Sequence, residues 1–238
     1  MAIYYANMFV KNLIKHLTFY TPLYHSLFDV YRFMYGPTEL VFLTECITSA
    51  SSVPGSFVEV GCGYGATTVF LNKFMNEKNI KRNYYALDTF SGFEKEHVDY
   101  EIRERGKSPK IKSMLQSTFT DNKQSWFDKT MLLNGVNRVK SIAKDATRFD
   151  FSTIAPIAFC LLDIDLYIPM KESLPKIYDV MSPGGVLIVD DCWKIDEWDG
   201  ALQAYEEFIG SRCISREIVC GKLGVIRVTP ESPSTVKR

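Results

Sequence analysis

The stretch Phe57-Val58-Glu59-Val60-Gly61-Cys62-Gly63-Tyr64-Gly65 sets three glycines at alternate positions directly after a short apolar run. A run of this length bounded by glycine predicts a buried strand, and the glycines that follow allow the backbone to turn sharply and approach a ligand. Val69, Phe70 and Phe74 then fall at helical spacing within 66–75. The unit is therefore a strand, a phosphate- or nucleoside-holding turn, and a helix. Gly61-x-Gly63-x-x-Ala66 also satisfies the dinucleotide fingerprint, so at this point the bound nucleoside is open.

Similar units recur downstream. Residues 83–88 predict a second strand tipped by Asp88, at about the distance beyond the glycines where such folds hold a ribose diol. An aspartate there also suits capping the turn Thr89-Phe90-Ser91-Gly92. Residues 93–118 are charged and weakly periodic, which predicts an irregular loop bordering the site. Thr120 is placed to cap a helix carrying Trp126, Phe127, Met131 and Leu132 and ended by Asn134-Gly135. Further strands are expected over 136–143, tipped by Asp145-Ala146; over 157–162, ending in Asp163-Ile164-Asp165; and over 186–189, ending in Asp190-Asp191. Helices are expected over 170–181, stopped by Pro183-Gly184-Gly185, and over 200–209. The pair 214–219 and 223–228 around Gly221-Lys222 reads as a hairpin. Alternation of this kind predicts an α/β fold: a Rossmann-like, doubly wound, mostly parallel seven-stranded sheet with a C-terminal antiparallel hairpin.

Ahead of the core, residues 1–45 form an aromatic-rich helical extension, expected to be a lid or a dimer contact; 46–230 form the main domain and 231–238 a polar tail. The amphipathic helix carrying Leu40, Val41, Leu43 and Ile47 leads into the core, and His16 and His25 read as packing or surface residues. The 28 basic and 28 acidic side chains cancel, and no basic stripe replaces the missing field, which argues against a nucleic-acid partner. The six cysteines include no C-x-x-C pair and several lie in apolar runs, so a reduced, cytoplasmic protein is expected. No apolar stretch reaches the roughly 18 residues of a membrane span, and no export leader is apparent.

Glu59, Asp88, Asp145, Asp163, Asp190 and Asp191 all fall at predicted carboxyl ends of strands, where open α/β sheets bind ligands. Folding should gather them on one rim. Carboxylates so placed repel one another unless a cation or a hydroxyl-rich ligand lies among them.

These segments in this order resemble the class I S-adenosylmethionine (SAM)-dependent methyltransferases, and within them the macrocin O-methyltransferase (TylF) family of sugar hydroxyl methyltransferases. The resemblance rests on residues 57–65, 86–93, 162–167 and 182–191 and spans roughly 57–210. It implies that Glu59, Gly61, Cys62, Gly63, Gly65 and Thr67 surround the methionine moiety of SAM. Asp88 would hold the ribose and Asp145 with Ala146 the adenine edge, with Thr89 and Ser91 also placed at the cofactor. Asp163, Asp190 and Asp191 match the positions that hold Mg²⁺ in that family, and Asp163 would border the cofactor as well. The implied partner is a small-molecule hydroxyl acceptor such as a sugar or glycoside, and the aromatic N-terminal region is expected to join copies of the chain in a homo-oligomer. The first 45 residues and 93–118 show no family match.

An alcohol is a poor nucleophile at neutral pH, and a metal that binds neighbouring oxygens both fixes the acceptor and lowers its pKa. Asp163 is a candidate general base, with Lys194 and His97 as others. Three further readings stay open from the residues: an NAD-dependent oxidoreductase, a glycosyltransferase using Asp163-Ile164-Asp165, and a methyltransferase-like binding protein without catalysis.

Overall fold

The computed structural model describes residues 10–11, 13–19, 21, 31, 33–195 and 199–229. The chain divides into two compact units, Met1–Met34 and Tyr35–Arg238. In the first, residues 10–11 and 13–18 are helical, and Val10, Leu13, Ile14 and Leu17 recur at helical spacing with their side chains exposed. His25 and residues 231–238 lie outside the described residues.

The second unit opens with α1 (Pro37–Ala50), started by a proline at its first turn and burying Leu40, Leu43, Cys46 and Ile47. The sheet order is β3-β2-β1-β4-β5-β7-β6. The strands are β1 (Ser56–Val60), β2 (Tyr84–Asp88), β3 (Val139–Ala143), β4 (Ile157–Leu162), β5 (Met181–Val189), β6 (Ile218–Val219) and β7 (Leu223–Arg227). The first five run parallel, whereas β7 is antiparallel to both β5 and β6. β1 and β4 are buried at every position, as strands covered on both faces must be. α2 (Ala66–Glu77) follows β1, α6 (Tyr167–Tyr178) joins β4 to β5, and α7 (Asp199–Ser211) precedes the terminal hairpin. The main core packs Val58, Val60, Cys160 and Leu187 of the sheet against Met170, Leu174 and Ile177 of α6 and Ala201, Tyr205 and Phe208 of α7.

Several boundaries differ from the sequence pattern. Residues 93–118 are not irregular: they contain α3 (Lys95–Arg103) and α4 (Pro109–Ser117), the latter capped by the Ser108 hydroxyl. Their buried apolar side chains on Leu166 are Val98, Ile111 and Leu115, joined by partly buried Met114, a face too sparse to show as periodicity. α5 (Gln124–Leu133) has no side-chain cap, and the Thr120 hydroxyl donates instead to the carbonyl of Ser117. Val136 closes α5 through its N–H to the Met131 carbonyl before β3 begins. Pro183-Gly184-Gly185 lies within β5, which absorbs it beside a register shift against β4, so α6 ends earlier, at Tyr178.

Candidate active site

The glycine turn is fixed by close approach. A Cβ on Gly61, whose φ is +87°, would lie 1.6 Å from the Asp163 carbonyl oxygen, so any side chain would push the end of β4 away from β1. Gly63 is held by side chains on both its amide groups. Its N–H donates to Asp88 Oδ2 (2.9 Å), and its carbonyl accepts from Asn122 Nδ2 (2.9 Å). A Cβ on Gly63 would meet nothing within 4 Å, so the turn presents open space on that side, as a cradle for a ligand requires. Gly65 packs against Phe127 and Met131 of α5.

Around this turn, Asp88 also accepts from the Phe90 N–H (2.7 Å); burial raises its pKa, and the N–H groups of Phe90 and Gly63 oppose the rise. Thr89 donates to the Gly92 carbonyl, while Ser91 is exposed. Cys62 and Thr67 are buried. Asp145 caps a short 3₁₀ turn, Ala146–Arg148, accepting from the N–H and the hydroxyl of Thr147, and Ala146 is buried beneath it. Glu59 is enclosed in the sheet, where the Tyr84 hydroxyl donates to its Oε2 (2.8 Å). Burial lifts its pKa to about 7. Thr68 and the Tyr84 hydroxyl beside it oppose the rise.

The acids cluster where the ends of β4 and β5 meet. Oxygens of Asp163, Asp165 and Asp191 lie within 4.8 Å of one another, a spacing at which three carboxylates can share a divalent cation. Tyr35, just ahead of α1, donates its hydroxyl to Asp163 Oδ2 (2.9 Å). Burial, then Asp190 and Asp191, drive the Asp163 pKa well above the usual carboxylate range. Asp165 shifts the same way through burial and through Asp163 and Asp191. Asp190 sits apart from this trio. Its Oδ2 is paired with Lys222 Nζ at 2.9 Å, and its Oδ1 is buried with no hydrogen-bond partner among the described residues. Burial and Asp191 raise its pKa to about 6, with Lys222 opposing.

The sequence-predicted residues are thus only partly brought together. Asp163 and Asp191 join; Asp190 is turned to Lys222; Asp165, absent from the predicted ligand set, completes the trio. His97 is half-buried on α3. Lys194 is exposed and lines a groove of about 550 Å³ with Asp199, Leu202, Gln203, Glu206 and Glu207, and the cation paired with Asp190 and Asp191 among the described residues is Lys222. Lys222 could have been found from the hairpin turn, because pairing of Val189 with Gly224 sets that turn beside Asp190-Asp191. Tyr35 and Asn122 left no local signal: one lies in an aromatic crowd and the other in a polar loop.

The family profile described as Macrocin-O-methyltransferase (TylF) matches residues 29–220, so it extends through 93–118 and into the first 45 residues, where the motifs alone gave no family match. The chain belongs to this family. The macrocin O-methyltransferase match sets aside the dinucleotide and glycosyltransferase readings of the same motifs. One curated relative, the 8-demethyl-8-(2,3-dimethoxy-alpha-L-rhamnosyl)-tetracenomycin-C 4'-O-methyltransferase of Streptomyces olivaceus, is 25% identical over 176 residues. That match covers 72% of this chain and 66% of the relative. Among solved structures, the O-methyltransferase NovP superposes with a TM-score of 0.69 at 19% identity, covering 83% of this chain and 82% of NovP. The calicheamicin methyltransferase CalS11 gives 0.65 at 16% identity, covering 91% and 90%. Both show the same fold.

Proposed function

We propose that this macrocin O-methyltransferase family member transfers the methyl group of SAM to a hydroxyl of a sugar or glycoside, with Mg²⁺ or a similar divalent cation at Asp163, Asp165 and Asp191. The observation that carries this reading is the junction of Gly61 with the Asp163 carbonyl, which puts the glycine cradle and the acid trio at adjoining strand ends. SAM supplies an electrophilic methyl group on a sulfonium, and a divalent cation makes a bound hydroxyl more acidic. The open side of Gly63 and the trio of half-buried Asp163 and Asp165 with buried Asp191 fit the two groups.

In this reading Gly61, Cys62, Gly63, Gly65 and Thr67 enclose the methionine portion, with Glu59 behind them. Asp88, with Thr89 and Ser91, holds the ribose; its two oxygens keep lone pairs beyond those used by Gly63 and Phe90. Asp145 and Ala146 flank the adenine. The acceptor proton passes to a trio carboxylate, Asp163 or Asp165, in preference to His97 or Lys194, neither of which belongs to the acid cluster. The sugar substrate is supported by relatives, one a rhamnosyl-tetracenomycin 4'-O-methyltransferase and another a TDP-rhamnose 3'-O-methyltransferase. A cytoplasmic, homo-oligomeric enzyme belongs to the same proposal. Its supports are the six unpaired cysteines and the exposed apolar stripe of residues 10–17. Among the described residues no helix is long and apolar enough to cross a membrane.

The test is calorimetry with SAM followed by a turnover screen over glycosides and nucleotide sugars, with Mg²⁺ or EDTA. Asp191→Ala is expected to bind SAM within a few-fold of wild type and to lose metal-dependent turnover by at least a hundredfold. Tight NAD(H) binding without heat from SAM would overturn the cofactor, and full activity in EDTA would overturn the metal.

A further inference from the structure

Lys222 is a rim residue to which the proposed function gives no role. It stands at the turn between β6 and β7, and its backbone is pinned beside the acids: the Cys192 N–H donates to the Lys222 carbonyl (2.7 Å). Gly224 lies so close to Cys192 that a Cβ there would be 2.6 Å from its sulfur. From this fixed base the ammonium reaches Asp190 Oδ2 at 2.9 Å and Asp191 Oδ1 at 3.7 Å. It also lies 4.8 Å from the ring centre of Tyr35 and 5.9 Å from that of Trp193, within cation–π reach of both. Only 13% of its side chain is exposed. Tyr35 joins the two halves of the rim, turning its ring to Lys222 and its hydroxyl to Asp163.

Resting on the divalent-cation reading above, we infer that Lys222 is a positioning residue that acts as a built-in counter-cation, withholding Asp190 from the divalent site and thereby lowering the affinity of that site. Asp190 has one oxygen held by the ammonium and one buried with no hydrogen-bond partner among the described residues. It adjoins Asp191 of the trio in the chain and, freed of the ammonium, offers a carboxylate as a fourth ligand. The ammonium acts twice: it occupies an oxygen of that carboxylate, and it adds a positive charge within a few ångströms of where a cation would sit, in surroundings that screen poorly. The consequence is a site left with few protein ligands, so that neighbouring oxygens of an acceptor can complete the coordination. Mg²⁺ favours such sites, keeping several non-protein oxygens.

The experiment measures Mn²⁺ binding to the full chain by electron paramagnetic resonance of the free ion. Lys222→Met is expected to bind Mn²⁺ at least tenfold more tightly than wild type, Lys222→Arg to match wild type, and the double variant Lys222→Met/Asp190→Asn to fall back to the wild-type value. A merely structural role for Lys222 would not make the gain depend on Asp190. Lys222→Gln, which keeps a donor for Asp190 and removes the charge, repeats the test if the methionine variant does not fold, and unchanged SAM affinity serves as the fold control. Equal or weaker Mn²⁺ binding by the uncharged variants, or a gain that survives Asp190→Asn, overturns the inference. If instead neither wild type nor the variants bind Mn²⁺, or binding ignores Asp191→Asn, the divalent site itself fails and the role of Lys222 fails with it.

Discussion

Ionising Glu59 is harder in the folded chain than in the unfolded one, because its carboxylate would have to sit inside the sheet with the Tyr84 hydroxyl as its hydrogen-bonded partner. Burial raises its pKa from 4.5 to about 7. Below pH 4.5 both states carry the proton and there is no penalty. Between pH 4.5 and 7 the unfolded chain releases it first, and stability falls until the folded pKa is passed. At pH 8 the accumulated cost is on the order of 3 kcal/mol, from about 1.4 kcal/mol per pKa unit. Glu59→Gln keeps an acceptor for Tyr84 and removes the charge. It should therefore be more stable than wild type at pH 8 by up to about 3 kcal/mol, with the difference closing towards pH 4.5. Urea unfolding at the two pH values checks this, and a Gln variant less stable at pH 8 would mean that the ionised form is the favoured one. The sequence marked Glu59 as an acid that meets a positive cofactor. Its burial against Tyr84 was not legible, because β1–β2 register, not spacing along the chain, puts the two side chains on one face.

Elements with dense apolar faces were readable and those held by charge were not. β4, α1 and α5 announce themselves by continuous or periodic hydrophobic residues. α3 and α4 bury few apolar side chains and are fastened instead by Glu101. Its Oε2 accepts from Arg105 Nε and its Oε1 from the Tyr167 N–H, both at 2.7 Å. Glu101 thus caps the first turn of α6 from another helix, where a carboxylate also meets the positive end of the helix dipole. Arg105 and Lys107 continue the clasp to Asp199 of α7 at 2.7 and 2.5 Å. A helix partner 66 residues away leaves no local signal. Glu101→Ala strands the Tyr167 N–H and frees Arg105 from a buried pair. The expected loss is about 3 kcal/mol, the scale of breaking such a pair from one side. Chemical denaturation measures it, together with faster proteolysis near residues 104–108; a wild-type midpoint would show that the clasp contributes nothing.

At the scale of the whole molecule, charges that cancel over the chain do not cancel where the strands end. The sheet order was predictable only in class, since the alternation of elements gives parallel strands but not which of them adjoin. That order sets β4 between β1 and β5, and so brings Asp163 and Asp165 against Asp191 with Lys222 beside them. Without a divalent cation the trio is a stability cost accepted for function, a common trade at active sites. Asp165 carries the clearest share: burial, Asp163 and Asp191 all oppose its ionisation, and a hydrogen bond to Asp191 favours its protonated form. An acid whose folded pKa is raised loses stability as pH rises, so at pH 8 neutralising it should help. Asp165→Asn, whose amide can donate to Asp191 at every pH, is expected to stabilise the EDTA-treated chain by about 1 kcal/mol. The same variant should lose most of the rise in unfolding temperature that Mg²⁺ confers on wild type, because a ligand stabilises only in proportion to its affinity for the folded state. Thermal unfolding in EDTA and in Mg²⁺ gives both numbers from one pair of scans. A variant that is less stable in EDTA, or one that keeps the full Mg²⁺ response, would place Asp165 outside the repelling trio and leave the cation to Asp163 and Asp191.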